Sequence, residues 1–173
     1  LISHADPISS SGRARKLRNL GFTPAQSAFW DHRYTKDVEQ FEWYQPFERL
    51  RNIFRRHVQP GMKVLIVGCG NSDLSRELYD MGVVNITAID FSKTVINQMK
   101  DTYADRDAMT WHHMDVLNMD PELIPEDHYD IVIDKACFDA CISSPGSKRN
   151  ADIFLSSVSK VIKPQGVFIH VTF

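Results

Sequence analysis

The stretch that decides the fold spans residues 63–72 and reads Lys63-Val64-Leu65-Ile66-Val67-Gly68-Cys69-Gly70-Asn71-Ser72. Its successive apolar residues are typical of a parallel strand that is buried on both faces. The Gly68-Cys69-Gly70 turn lets the backbone approach a nucleotide-like ligand closely where the chain enters a helix. The sequence therefore predicts an α/β fold with a ligand site at the end of this strand.

A second apolar run ends in Asp90, whose carboxylate can accept hydrogen bonds from both hydroxyls of a ribose. A dinucleotide-binding fingerprint would have a third glycine at the position of Asp73. A carboxylate at this helix start would instead repel a pyrophosphate. The pattern favours an adenosine cofactor without phosphates, and S-adenosylmethionine fits it best.

Strands and helices alternate from residue 62 onward. Strands are predicted at 63–67, 85–89, 109–114, 129–134 and 166–172. Helices are predicted at about 73–81, 92–103 and 149–162, with a short helical turn near 137–142. Because several strands read as continuous apolar runs, we expect a doubly wound, Rossmann-like parallel sheet with helices on both faces.

Two further helices are predicted ahead of this sheet. The first should begin at Thr23-Pro24, an N-cap followed by proline, and carry Phe29, Trp30 and Tyr34. The second should begin near Tyr44, with Pro46 in its first turn. Its apolar face should consist of Phe47, Leu50, Ile53, Phe54 and Val58.

The composition narrows the class of protein. With 173 residues, of which 43% are hydrophobic and 24% charged, we expect one domain (23–173) behind a flexible polar leader (1–22). A net charge of −2 gives no general attraction to nucleic acid or membrane surfaces, and no apolar run approaches the roughly 20 residues of a membrane span. The 3 cysteines should be reduced, which predicts a cytoplasmic protein. No metal site is expected, since His112-His113 lack clustered partner ligands.

Four of the predicted strands end in residues that suit ligand binding. The endings are Gly68-Cys69-Gly70, Asp90-Phe91, Asp115-Val116 and Asp134-Lys135. Because the carboxyl ends of parallel strands meet at one edge of a sheet, we expect these four groups to converge.

Six motifs make the chain resemble a known family. They are Phe29-Trp30-Asp31-His32-Arg33-Tyr34, Phe41-Glu42-Trp43-Tyr44, Val67-Gly68-Cys69-Gly70-Asn71-Ser72, Ile89-Asp90-Phe91-Ser92, Met114-Asp115-Val116 and Asp134-Lys135. With them the chain resembles the class I, seven-strand S-adenosylmethionine-dependent methyltransferases. More narrowly, it is similar to the methyltransferase-like-thirteen group, which includes elongation factor 1-alpha lysine methyltransferases. The resemblance implies an enzyme that methylates a protein with S-adenosylmethionine and forms S-adenosylhomocysteine.

The resemblance also implies the residues of the cofactor site: Trp30, Tyr34, Trp43, Gly68, Cys69, Gly70, Asp90, Phe91, Asp115, Val116 and Lys135. By that resemblance, Gly68 would face the methionine portion, Asp90 the ribose and Phe91 the adenine ring. Asp115 and the Val116 backbone would bind the edge of the adenine. Lys135 would lie beside the methionine end through its backbone rather than its ammonium. Trp30, Tyr34 and Trp43 would close the pocket, where an aromatic face can attract a sulfonium.

Three functions remain open on the sequence. They are a protein lysine methyltransferase, a methyltransferase for a small molecule or another acceptor, and a module that binds the cofactor without turnover. No catalytic residue is assigned. Asp139 is interpreted as a helix-surface charge or as a residue near the acceptor. Ala136 stands where relatives usually have glycine after the acid–lysine pair.

The last predicted strand runs to Phe173, whereas seven-strand relatives continue with a helix and an antiparallel hairpin. Strands six and seven are therefore expected to be missing. An apolar edge strand with unpaired backbone groups favours pairing with another chain. The sequence predicts self-association through the fifth strand.

Overall fold

The computed structural model describes residues 23–24, 26–143 and 146–172, and the predicted leader lies outside them. The helices are α1 (Ser27–Lys36), α2 (Phe47–His57), α3 (Leu74–Asp80), α4 (Lys93–Thr102), α5 (Cys137–Ile142) and α6 (Ser147–Val161). The strands are β1 (Lys63–Val67), β2 (Asn85–Asp90), β3 (Met109–His113), β4 (Tyr129–Lys135) and β5 (Ile162–Val171). A short 3-10 helix covers Val116–Asn118.

The strands form one parallel sheet in the order β3-β2-β1-β4-β5. The chain order reverses between β1 and β4, which lie side by side with Val67 opposite Asp134. Sheets of this kind bind ligands at their carboxyl edge, next to the reversal. The predicted doubly wound, Rossmann-like fold is confirmed.

Alternate residues of β1 enter separate hydrophobic cores on the two faces of the sheet. Val64 and Ile66 pack in a core with residues of α1 to α4, including Phe54 of α2. Leu65 and Val67 pack in a second core with Phe154 of α6. All four β1 residues are at most 2% exposed. Burial on both faces explains why the strand reads as an unbroken apolar run.

The predicted start of the first helix at Thr23-Pro24 is wrong. The Thr23 carbonyl accepts from the Gln26 amide at 2.9 Å, and the Gln26 side-chain oxygen accepts from the Thr23 amide at 2.8 Å. This turn satisfies the backbone groups that an N-cap would otherwise serve, so α1 begins only at Ser27. The predicted burial of Phe29, Trp30 and Tyr34 is confirmed.

Two details predicted for the second helix are also wrong. It begins at Phe47 with Pro46 as its N-cap, because Tyr44 has a positive φ of 59° that is incompatible with a helix. Ile53 is 48% exposed although Phe47, Phe54 and Val58 are buried. At 3.6 residues per turn, Ile53 points about 100° away from the line of buried residues.

Strand β5 begins at Ile162, four residues before its predicted start at 166. Ile162 pairs with Tyr129, and regular pairing resumes with Val167 opposite Ile131 after a shift of register. Gln165 has a positive φ of 69° in this shift, so the chain bulges between two paired stretches.

Within the described residues, β5 lies at the edge of the sheet and pairs with β4 alone. Self-association through this edge stays a prediction. None of the described helices combines the length and apolar character needed to cross a membrane.

Candidate functional site

A cleft opens at the carboxyl edge of the sheet, beside the reversal of strand order. All of the predicted cofactor residues line it, and they come from both the strand ends and the N-terminal segment: Trp30, Tyr34, Trp43, Gly68, Cys69, Gly70, Asp90, Phe91, Asp115, Val116 and Lys135. The predicted convergence of the strand ends is thus observed. Their contacts with a cofactor stay a prediction.

Asp90 lies at the centre of the cleft and is only 7% exposed. Its Oδ1 accepts from the Ser92 amide at 2.8 Å, and its Oδ2 accepts from the Gly70 amide at 2.9 Å. Each oxygen keeps a second lone pair, which suits the two hydroxyls of a ribose. Burial raises the pKa of Asp90 to about 6.

The glycine turn leaves no room for side chains. Gly68 and Gly70 have φ of 60° and 53°, in the left-handed region. A Cβ on Gly68 would lie 2.4 Å from both Cβ and Sγ of Cys137, and one on Gly70 would lie 2.7 Å from the Tyr34 hydroxyl. Both glycines are therefore required for the close approach of α1, α5 and the turn.

An aromatic wall from the N-terminal segment covers the cleft. Trp30 stacks on Tyr34 with centroids 6.0 Å apart and meets Trp43 edge-on at 6.0 Å. The Trp30 indole N–H donates to the Pro24 carbonyl at 2.7 Å. Trp30 is also part of the core on this face, so its core and cleft interpretations both hold.

Phe41 is a member of this wall that sequence reasoning left without a role. Its ring packs edge-on against Trp43 at 5.0 Å, and the Arg33 guanidinium lies 4.9 Å from the Phe41 ring centre. The same guanidinium lies 5.0 Å from the ring centre of Trp43. The cation therefore holds the two rings on one side of the cleft.

At the β3 end, Asp115 is exposed and begins the 3-10 helix. Its Oδ1 accepts from the Leu117 amide at 2.9 Å, while Val116 is buried. The capping bond fixes the carboxylate at the rim of the cleft, where the predicted adenine edge would lie.

Glu42 is the largest omission of the sequence interpretation. It lies on residues 37–46, here called the strap, which join α1 to α2. Its carboxylate accepts from Ser72 Oγ at 2.9 and 3.0 Å and from the Asp73 amide at 2.7 Å, and it forms an ion pair with Lys135. The Lys135 side chain is 6% exposed and is directed toward the strap. Glu42 belongs to a motif quoted above, but only the three-dimensional fold brings it to Lys135.

The carboxylate of Asp134 is fully buried and caps α5. It accepts from the amides of Cys137 and Phe138 at 2.8 and 3.2 Å and from His170 Nδ1 of β5 at 2.7 Å. The hydrogen bond to Asp134 raises the pKa of His170, whereas burial raises the pKa of Asp134 itself. This pair ties β4 to β5 behind the cleft.

Asp139 is not a simple surface charge. It accepts from the Tyr44 hydroxyl at 2.9 Å and from the Thr172 hydroxyl at 2.8 Å. It therefore joins the strap, α5 and the end of β5, on the side of the cleft away from Asp115.

Two cysteines of α5, Cys137 and Cys141, line the cleft and were not predicted there. A hydrogen bond with Cys141, together with burial, raises the pKa of the Cys137 thiol. Among the described residues no group of His, Cys, Asp and Glu side chains could hold a metal ion.

Ala136 has a φ of 74°, in the left-handed region where glycine is favoured. We expect Ala136→Gly to stabilise the protein by about 0.5 to 1 kcal/mol, because the relief of strain exceeds the added entropy of the unfolded chain. Chemical denaturation measures the change. As a control, Ala140→Gly in the following helix should destabilise; equal effects of the two substitutions would contradict the strain.

Comparison with known proteins agrees with this geometry. Residues 58–173 match a family described as a methyltransferase domain. The chain belongs to this family. The match spans every strand of the sheet, and it confirms the predicted class and its cofactor, S-adenosylmethionine.

Two similar curated proteins have names that include an acceptor. The chain is 32% identical over 167 residues to mouse (Mus musculus) "EEF1A lysine methyltransferase 4", covering 91% of this chain and 64% of that protein. It is 33% identical over 158 residues to human (Homo sapiens) "eEF1A lysine and N-terminal methyltransferase", covering 90% and 22%. The chain thus spans less than two thirds of the length of these relatives.

A solved structure supports the fold. It is an S-adenosylmethionine-dependent methyltransferase from Thiobacillus denitrificans in complex with S-adenosyl-L-homocysteine. The TM-score is 0.59 with 14% sequence identity, covering 79% of this chain and 52% of that chain.

Proposed function

We propose that this chain transfers a methyl group from S-adenosylmethionine to a lysine amine of a protein of the elongation factor 1-alpha type. The observation that carries the proposal is the convergence of the ends of β1, β2, β3 and β4 on one cleft. The names of the similar proteins support the choice of acceptor. A cytoplasmic location would accompany such a substrate, and pairing of β5 edges remains part of the proposal.

The strand order supports a direction for the cofactor. Asp115 and Val116 follow β3, Asp90 ends β2, the glycine turn follows β1 and Lys135 ends β4. Because these strands are neighbours in that order, the adenine, ribose and methionine parts would lie along the edge in the same order. Asp90 fits the ribose because both of its oxygens keep an acceptor site.

When bound, the cofactor supplies a methyl group on a positively charged sulfur. The chain's own contribution is to position the acceptor and to exclude water. The buried Trp30 and Tyr34 and the apolar ends of β1 and β4 would keep water from the reacting atoms. A lysine amine must reach this site unprotonated, since its ordinary pKa is about 10.4.

The proposal is tested with isotope-labelled S-adenosylmethionine. The chain is incubated with the labelled cofactor and a cell extract, and the labelled species are identified by mass spectrometry. Label on a lysine of elongation factor 1-alpha is expected. Label on a small molecule would favour the second open function, and bound cofactor without any label transfer would favour a binding module.

The pKa of Asp90 gives cofactor binding a pH dependence. Because burial raises that pKa to about 6, the ionised acceptor predominates only above pH 6. We expect the affinity for S-adenosylhomocysteine to be constant near pH 8 and to fall by up to tenfold per pH unit below pH 6. For the ligand-free fold the sign is opposite, since a raised pKa favours the folded state as the pH falls through 6 toward 3.8.

Calorimetric titrations at several pH values measure this dependence. The Asp90→Asn variant carries no titratable group at this position and should lose it. An equally steep loss of affinity in that variant would assign the titration to another residue.

Asp139 offers a test of the acceptor side. Its carboxylate joins Tyr44 and Thr172 away from the adenine end, where it can attract an incoming ammonium. We expect Asp139→Asn to lower kcat/KM for the protein substrate by about tenfold or more while the affinity for S-adenosylhomocysteine stays within about twofold. The exposed Asp101 of α4 provides the control substitution Asp101→Asn. Unchanged methylation by Asp139→Asn would remove this residue from the acceptor site.

A further inference from the structure

The buried ion pair between Glu42 and Lys135 lies at one end of the cleft. Lys135 ends β4, and Ser72, which also contacts Glu42, follows the glycine turn after β1. Asp90 and Asp115 belong to the other strand ends, β2 and β3. In the proposed direction of the cofactor, the ion pair would therefore meet its methionine end.

Both members of the pair keep hydrogen-bonding capacity. The Glu42 carboxylate has about four lone-pair sites. The described residues occupy three of them: the Asp73 amide, the single Ser72 hydroxyl proton and the Lys135 ammonium. The Lys135 ammonium has three N–H groups, of which one meets Glu42 and another lies 3.4 Å from Ser72 Oγ. At least one acceptor site and one donor remain.

An anion and a cation side by side match a ligand group that carries both charges. An amino-acid end has an ammonium and a carboxylate on the same carbon atom. Glu42 can accept from the ammonium while Lys135 donates to the carboxylate, and each contact is a charge-assisted hydrogen bond. In the ligand-free fold the two side chains satisfy each other, which keeps both charges compatible with a partly buried site.

We infer that Glu42 and Lys135 together recognise the zwitterionic amino-acid end of the cofactor and make the cleft select against adenosines that lack it. The inference rests on the proposed cofactor but not on the identity of the acceptor. It gives the Lys135 side chain a role that the sequence interpretation had given to its backbone. It also makes closure of the strap depend on the same contact, since Glu42 is a strap residue.

The test compares two ligands by calorimetry on the wild-type chain. S-adenosylhomocysteine carries the amino-acid end, whereas 5′-methylthioadenosine has the same nucleoside with only a methyl group on sulfur. We expect a preference of about 100-fold or more for S-adenosylhomocysteine. Equal affinities would overturn the inference while leaving the cofactor cleft intact, and a chain that binds neither ligand would overturn the cofactor proposal and the inference with it.

Substitutions then locate the preference. Glu42→Gln should weaken S-adenosylhomocysteine about 10- to 100-fold and leave 5′-methylthioadenosine within about twofold. The matched control is Glu39→Gln, which removes the same charge from an exposed position of the strap. Lys135→Met provides a second variant with the same expected ratio, should Glu42→Gln fail to fold. Equal weakening of both ligands would show that Glu42 only holds the strap in place, and would overturn the inference.

Discussion

Gly68→Ala is expected to lower the free energy of unfolding by about 2 to 4 kcal/mol. The substituted residue would keep a φ of 60° that costs an L-amino acid about 1 to 2 kcal/mol. Its Cβ would also overlap Cys137, whose Cβ and Sγ lie 2.4 Å from the new atom. Overpacking of this kind typically costs a further 1 to 3 kcal/mol. A decrease of about 5 to 15 °C in the melting temperature is the measurable consequence.

Gly61→Ala separates the two contributions. Gly61 also has a positive φ, of 87°, but a Cβ there meets no atom within 4 Å. It should therefore pay only the conformational cost. If the two variants melt at the same temperature, the close contact between the glycine turn and α5 does not exist as described.

Asp90→Ala is expected to weaken S-adenosylhomocysteine by about 30- to 150-fold, or about 2 to 3 kcal/mol. The substitution removes an ionised acceptor that both ribose hydroxyls would share. Asp90→Asn should weaken binding less, because one amide oxygen can still accept a hydrogen bond. Calorimetry on variants with native circular dichroism measures both effects. Full affinity in Asp90→Ala would exclude this carboxylate from the ribose site.

The sequence predicted the sheet well because its signals are local. The apolar run of β1 and the caps and breaks between elements lie within a few residues of the structure they specify. The helix starts at Ser27 and Phe47 were missed because a side-chain turn at Gln26 and a positive φ at Tyr44 leave no distinct pattern in the sequence.

The cleft residues at the strand ends were also predictable, since parallel strands bring their carboxyl ends to one edge. The contacts of Glu42 with Lys135 and of Asp134 with His170 were not. They join residues 93 and 36 positions apart, and their partners are fixed by the path of the strap and by the pairing of β5. Only the packed fold specifies such pairs.

The central claim is that the cleft at the carboxyl edge binds an adenosine cofactor without phosphates, and one titration tests it directly. The wild-type chain is titrated with S-adenosylhomocysteine and, separately, with NAD in a calorimeter at pH 8. The account predicts one S-adenosylhomocysteine bound per chain, competitive with S-adenosylmethionine, and no binding of NAD. Binding of NAD, or no binding of S-adenosylhomocysteine to the folded chain, would contradict it.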